Sequence, residues 1–302
     1  FEHAERQGIL LHFLLAETES GNENYYDDGN LGPQRKLYYR ELIARFGHVN
    51  GIEWDIGEEN DYGTTRREQF ADYIDDVDPY GHPTTTHTHN GQDDEFYDPL
   101  LGNDDYDATG FQGGWSGDAI HDLAMKWRRD SANAGVPWVV CVNEPQHLEN
   151  NSGDLTAGRT EYMWPFFMGG AGGFEWYIWQ DGGGPGDPKV EDFGWMEEAL
   201  VWSGHLVDFF DHIPYWEMTP TDGGVHNGDG YLLENPGEVY ALYLPDGDAV
   251  DVDIASGSYE LRWFNPRTGN FVGSTGVDGG QATDLPAPPI GDDAAAIIER
   301  TS

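Results

Sequence analysis

Residues 51–60 read GIEWDIGEEN and residues 137–145 read PWVVCVNEP. In the first, Ile52, Trp54 and Ile56 alternate strictly with Glu53, Asp55, Gly57 and Glu59. That is the period of a strand, whose successive side chains point to opposite faces. The second is an apolar strand run that ends in Asn143, Glu144 and Pro145. Both strands therefore finish in carboxylates. Helical patterns lie on either side. PQRKLYYRELIARFG (33–47) opens with Pro33 and closes on Gly47, RREQFADYIDDVDPYG (66–81) reads as a helix, and HDLAMKWRRDSANAG (121–135) reads as a helix with a Gly stop.

Further strands read at 9–17, 83–90, 108–114 and 172–181, a short helix at 161–172 and a long one at 191–213. The opening FEHAERQG (1–8) reads as the last turns of a helix closed by Gly8. Strands alternating with helices predict a parallel α/β fold. Polar residues at the C-terminal ends of the strands predict a TIM barrel, which needs eight strands. Six are legible here. The expectation is a (β/α)8 barrel over 1–213 that contributes strands three to eight, its first two strands missing from the front. The alternative is an open doubly wound sheet. It lacks its usual Gly-rich phosphate loop after the first strand, and GGGPG (182–186) follows the last strand instead. From Pro214 the texture changes to short strands at turn-punctuated spacing, as in GYLLEN, EVYALYLP, YELRWFNPRTG and AAAIIER. This predicts a small antiparallel β-sandwich over 214–302.

The formal net charge is −41, from 56 acidic and 15 basic residues, and Lys36, Lys126 and Lys189 are the only lysines. Such charge is a mark of disorder, but 11 Trp, 16 Tyr and 14 Phe along the chain supply a core. An acidic, Lys-poor surface on an aromatic core is what halophilic proteins resemble, and salt screening is expected to be needed for stability. The charge disfavours nucleic acid and anionic membranes as partners. No apolar run is long enough to span a bilayer. Cys141 is the only cysteine, so no intrachain disulfide forms, and it reads as a small core residue. No signal segment is legible, which leaves extracellular and cytoplasmic locations both open.

Cleaving a glycosidic bond takes one protonated carboxyl to release the leaving oxygen and one carboxylate to attack or stabilise the sugar cation. Glu59 and Glu144 stand where such a pair would stand. WDIGEEN (54–60), GPQRKLYYRELIARFGH (32–48), GGFEWYIW (172–179) and the tail segments PGEVYALYLP (236–245) and YELRWFNPRTG (259–269) resemble a family of apiosidase-like barrel glycoside hydrolases with a collagen-binding-type C-terminal domain. The resemblance runs over nearly the whole chain. It implies action on plant or microbial polysaccharide, with Glu59 as acid/base ending strand four and Glu144 as nucleophile ending strand seven. Where many relatives have Asn-Glu this chain has Glu58-Glu59, so Glu58 replaces an amide that would meet the sugar 2-hydroxyl. Alternation favours Glu59 over Glu58 as the acid, since Glu59 shares a face with Glu53 and Asp55.

The other candidate substrate contacts are His12, His87, Gln112 and Asn143, with Trp176 and Trp179 as stacking platforms or core. His87 and His89 share a strand face, as metal ligands would, but no carboxylate follows at a known metal spacing. No metal or cofactor is expected. Three functions stay open: a retaining glycoside hydrolase acting on a poly- or oligosaccharide, a non-catalytic carbohydrate- or matrix-binding barrel, and a metal-dependent hydrolase using the His87/His89 pair.

Overall fold

The computed structural model describes residues 1–145, 155–176 and 194–301. Contacts divide the chain into two compact units. One takes Phe1–Gly114, Trp127–Gln146 and Gly172–Trp176, the other Trp115–Lys126, His147–Ala171 and Tyr177–Ser302.

The first unit is parallel α/β. Strands β1 (Leu11–Leu14), β2 (Ile52–Asp55) and β3 (Thr84–Thr85) lie side by side in that order, as do β4 (Phe111–Gly113), β5 (Cys141–Pro145) and β6 (Gly173–Phe174). All their pairings are parallel. A parallel bridge between His87 and Gly110 carries the order from the β3 side to the β4 side. Helices α1 (Glu2–Arg6), α2 (Pro33–Phe46), α3 (Thr64–Val77) and α4 (Asp93–Tyr97) alternate with the strands, as does helix α5 (Asp118–Ala134), of which residues from Trp127 on belong to this unit. Helix α2 starts where Pro33 needs no N–H partner. The Asp27 carboxylate accepts the Gln34 and Arg35 N–H groups, each at 2.8 Å, and an anion there also suits the helix dipole. Arg35, Tyr39 and Ile43 recur every four residues and form its buried stripe. Ile52, Trp54 and Ile56 are fully buried, as their alternation predicts. Tyr97, Phe111, Trp127 and Trp138 build a second aromatic cluster with ring separations of 5.1–6.3 Å.

Strands are shorter than the sequence suggests. PTTTHTHN reads as one strand, yet regular pairing holds only for Thr84–Thr85. Beyond that, single backbone bonds continue, His87 N–H to the Gly57 carbonyl at 3.3 Å and Thr88 N–H to the Gly110 carbonyl at 3.0 Å, and side chains add to them. The Tyr97 hydroxyl donates to the Thr86 carbonyl and Thr85 Oγ1 to the Ala108 carbonyl. The helical stretch Asp93–Tyr97 was not legible in its polar, acidic sequence.

The second unit holds α6 (Leu155–Ala157), a π-helical turn (Gly158–Met163), α7 (Trp164–Met168), α8 (Glu197–Phe210) and nine strands among the described residues. These are β7 (Thr219–Thr221), β8 (Val225–His226), β9 (Tyr231–Asn235), β10 (Val239–Leu244), β11 (Asp251–Val252), β12 (Gly257–Asn265), β13 (Asn270–Gly279), β14 (Thr283–Asp284) and β15 (Ala294–Arg300). A six-stranded antiparallel sheet in the order β13-β12-β15-β10-β9-β7 stands with a three-stranded one, β14-β11-β8. Leu242, Leu261 and Ile298 of the larger sheet share a buried core with Val252 of the smaller. Strand β10 is buried on both faces. Tyr240, Leu242 and Leu244 join that core, while Tyr243 stacks on Trp164 at 4.8 Å. Arg159 reaches Asp293 through two bonds of 3.0 and 2.8 Å, and both side chains are buried. Helices α7 and α8 thus cover the sheet's second face. This is why they group with the C-terminal strands, although the sequence reading placed a single boundary between 213 and 214.

Candidate active site

Strand β2 ends at Asp55, and the alternation ends with it. Asp55 Oδ1 accepts the Gly57 N–H at 2.8 Å. The Gly57 carbonyl accepts the Asn60 side-chain amide at 2.6 Å, and that amide also donates to Thr86 Oγ1 at 2.8 Å. Glu58 forms an isolated parallel bridge with Glu17. Glu59 then turns into the left-handed region at φ 42°, a conformation most side chains avoid and one often found at functional sites. Its carbonyl accepts the Thr18 hydroxyl.

This bend decides which glutamate faces Glu144. Ligand atoms of Glu58, His87 and Glu144 all lie within 4.8 Å of one another. Glu59 turns to the other side, where its carboxylate lies 4.0 Å from His89 Nδ1. His89 Nε2 also meets Asp61 at 3.1 Å. The structure therefore groups Glu58 with Glu144 and separates His87 from His89.

Glu144 sits on β5 opposite Gln112 of β4. Gln112 Nε2 donates to Glu144 Oε2 and fixes that carboxylate. His87 is 2% exposed, and its Nε2 has no hydrogen-bond partner among the described residues. Burial pushes its pKa down to about 4, so the ring is neutral at neutral pH.

His12 does different work. Its Nδ1 meets Glu53 at 2.7 Å and its Nε2 meets Asp55 at 3.0 Å. The Asn143 amide lies 3.0 Å from Nε2 as well. Burial alone would lower the His12 pKa, but the hydrogen bonds and charges of Asp55 and Glu53 outweigh it and raise it to about 10. Both ring nitrogens are thus spent on protein partners, and the sugar contact read for His12 has no nitrogen left to make it. Glu175, just past β6, is pushed upward by burial and eased by His12. His12, Glu53, Asn143 and Glu175 line a cavity of about 540 Å³ together with Leu10, Leu14, Phe174 and Cys141. Cys141 is half-buried there rather than enclosed.

Trp176 is 9% exposed and packs edge-on against Phe174 at 5.5 Å, which favours its core reading. Trp179 lies outside the described residues. The sequence reading missed Asn60, Thr86 and Arg67, all buried, which brace the loop that carries Glu58. Arg67 Nε donates to Asn60 Oδ1 at 3.3 Å. Asn60 closes WDIGEEN and was in view. Arg67 reads as surface charge in a helix rich in charge.

No family model and no curated protein sequence matches the chain. Solved structures do. A glycoside hydrolase family 5 protein from Bacteroides vulgatus ATCC 8482 aligns with TM-score 0.71 at 16% identity, covering 99% of this chain and 73% of that one. A second structure, described only as a glycoside hydrolase, aligns with TM-score 0.64 at 16% identity over 88% and 68% of the two chains. A family 39 glycoside hydrolase from the gut symbiont Bacteroides cellulosilyticus WH2 gives 0.50 at 14% identity over 99% and 69%. At such identities the likeness is one of fold. The chain has a glycoside-hydrolase-type fold, with a parallel α/β unit and an antiparallel β unit. Among the described residues no helix is long and apolar enough to cross a membrane.

Proposed function

We propose that this protein is a retaining glycoside hydrolase acting on a poly- or oligosaccharide, with Glu144 as nucleophile and Glu58 as acid/base. The observation that carries this reading is the approach of Glu58 and Glu144 to within 4.8 Å at the ends of two parallel strands. Retaining pairs stand about 5–5.5 Å apart, and inverting pairs about 6.5–9.5 Å, to admit a water. The apiosidase-like resemblance gives the order of roles, and the approach of Glu58, rather than Glu59, to Glu144 supports Glu58 as the acid. In the first step a Glu144 oxygen bonds to the anomeric carbon as the glycosidic bond breaks, and Glu58 gives its proton to the departing oxygen. In the second, Glu58 takes a proton from water, whose oxygen displaces Glu144 from the sugar. The Gln112 amide donates to one Glu144 oxygen and so orients the carboxylate for attack. The C-terminal β module does no chemistry in this scheme.

The test is turnover on a panel of aryl glycosides at molar salt. Glu144→Gln is expected to lower kcat by about 10³-fold or more, and Glu58→Gln by about 10²–10⁴-fold on poor leaving groups. With a good aryl leaving group, which departs without much protonation, the first step of Glu58→Gln is spared. Glu59→Gln should keep most activity. A double Glu58→Gln/Glu144→Gln variant that retains full turnover would overturn the proposal and favour a non-catalytic or differently sited function.

A further inference from the structure

We infer that Glu58, His87 and Glu144 also form a binding site for one divalent transition-metal ion of the Zn²⁺ type, and that its occupancy shuts off hydrolysis. One imidazole nitrogen and two carboxylate oxygens lie within 4.8 Å of one another. Zinc takes such donors at about 2.0–2.2 Å, so small side-chain rotations bring all three onto one ion. An independent sign of a ligand is His87 itself. It is 2% exposed, and its Nε2 has no hydrogen-bond partner among the described residues. Gln112 is nearly as buried and donates to Glu144, the kind of outer contact that orients a metal-bound carboxylate.

The imidazole sets the selectivity. Mg²⁺ and Ca²⁺ prefer all-oxygen shells, whereas Zn²⁺ and Co²⁺ accept nitrogen readily. A second group, His121, Asp122 and Asp222, meets the same distance limit. There the Nδ1 of His121 faces Asp122 at 3.7 Å, the atom without a hydrogen-bond partner among the described residues is Nε2, and both aspartates are exposed. It serves as the internal control. The inhibitory half of the inference rests on the proposed hydrolase reading. An ion shared by both carboxylates occupies the lone pairs needed for attack and for carrying the proton.

Calorimetric titration of ZnCl2 into the whole chain, in metal-free buffer with about 2 M NaCl to screen the acidic surface, tests the site without any need for turnover. One ion per chain is expected, with affinity reduced about tenfold or more in His87→Gln and Glu58→Gln and unchanged in Asp222→Asn. MgCl2 should give no matching heat. Because His87 is buried, Glu58→Gln on its half-exposed side chain is the variant that decides, and Zn²⁺ should raise the Tm of the parent but not of this variant. Equal zinc affinity in the parent and Glu58→Gln, loss of binding in Asp222→Asn, or no zinc heat at all would overturn the site. Where turnover is measurable, zinc should inhibit and EDTA should restore. Zinc that binds and raises turnover would overturn the inhibitory half while leaving the site in place.

Discussion

His12 shows how much a single residue's role depends on its partners. Glu53 and the fully buried Asp55 face it from the next strand, and the cation between them makes their joint burial tolerable. Removing one member of a buried ion pair typically costs about 3–5 kcal/mol, because the other charge is stranded. His12→Gln is therefore expected to destabilise the protein by about that much near neutral pH, measured by urea unfolding at high salt. The sign of its pH dependence follows from a folded pKa of about 10 against the ordinary 6.5. The stability from His12 is fully present below about pH 6.5 and is lost as pH rises through about 10. The gap between parent and variant should close over that window, and a constant gap would contradict the ion-pair role. The sequence offered His12 as a sugar contact or a core residue. Its pairing with Glu53 depends on strand register, which one strand's pattern does not contain. The two glutamates of WDIGEEN taught a related lesson. Strand periodicity was legible through Asp55, but extending it to Glu59 crossed a bend set by Asp55 Oδ1 and the Gly57 N–H, a local contact with no periodic signature.

At the scale of elements, the order of strands and helices was legible because apolar runs, Pro starts and Gly stops mark it. Strand lengths and the grouping of helices were not, because tertiary contacts set them. The glycines separate the two kinds of constraint. At Gly110 on the β4 side, an added Cβ would lie 2.8 Å from Asn143 Nδ2 and 3.1 Å from the Thr86 carbonyl oxygen. At Gly204, exposed within α8, it would meet nothing within 4 Å. The same change should have opposite signs. Gly110→Ala should destabilise by about 1–3 kcal/mol through overpacking. Gly204→Ala should stabilise by about 0.5–1 kcal/mol through helix propensity. Urea midpoints of the two variants measure both, and matching signs would mean that the Asn143 contact does not constrain the strand.

At the scale of the whole molecule, the charge of −41 predicts that stability depends on salt screening. Asp105 carries the local signature. Burial first, then Asp72, Asp75, Asp104 and Asp76, raise its pKa to about 6. With the folded value above the ordinary 3.8, the stability tied to its protonated form is present below about pH 3.8 and is lost as pH rises through about 6. Asp105→Asn should thus be more stable than the parent above about pH 6 in dilute buffer, with little difference below about pH 4. Screening shortens the Debye length from ~10 Å at ~0.1 M to ~3 Å at ~1 M salt. The parent's Tm should therefore rise from about 0.1 M to about 2 M KCl, and the advantage of Asp105→Asn should shrink. An unchanged or lower Tm would remove the case for a salt-dependent fold.

Within that acidic scaffold, the central claim is that Glu58 and Glu144 work as one pair across a sugar. Its most direct test is to trap the glycosyl-enzyme at molar salt with 2-deoxy-2-fluoro glycosides that carry dinitrophenyl leaving groups, and to map the adduct by peptide mass spectrometry. The predicted result is a single adduct on Glu144 that still forms in Glu58→Gln and is absent from Glu144→Gln. An adduct on Glu58 or Glu59, or turnover of the parent glycosides with no adduct on Glu144, would contradict it.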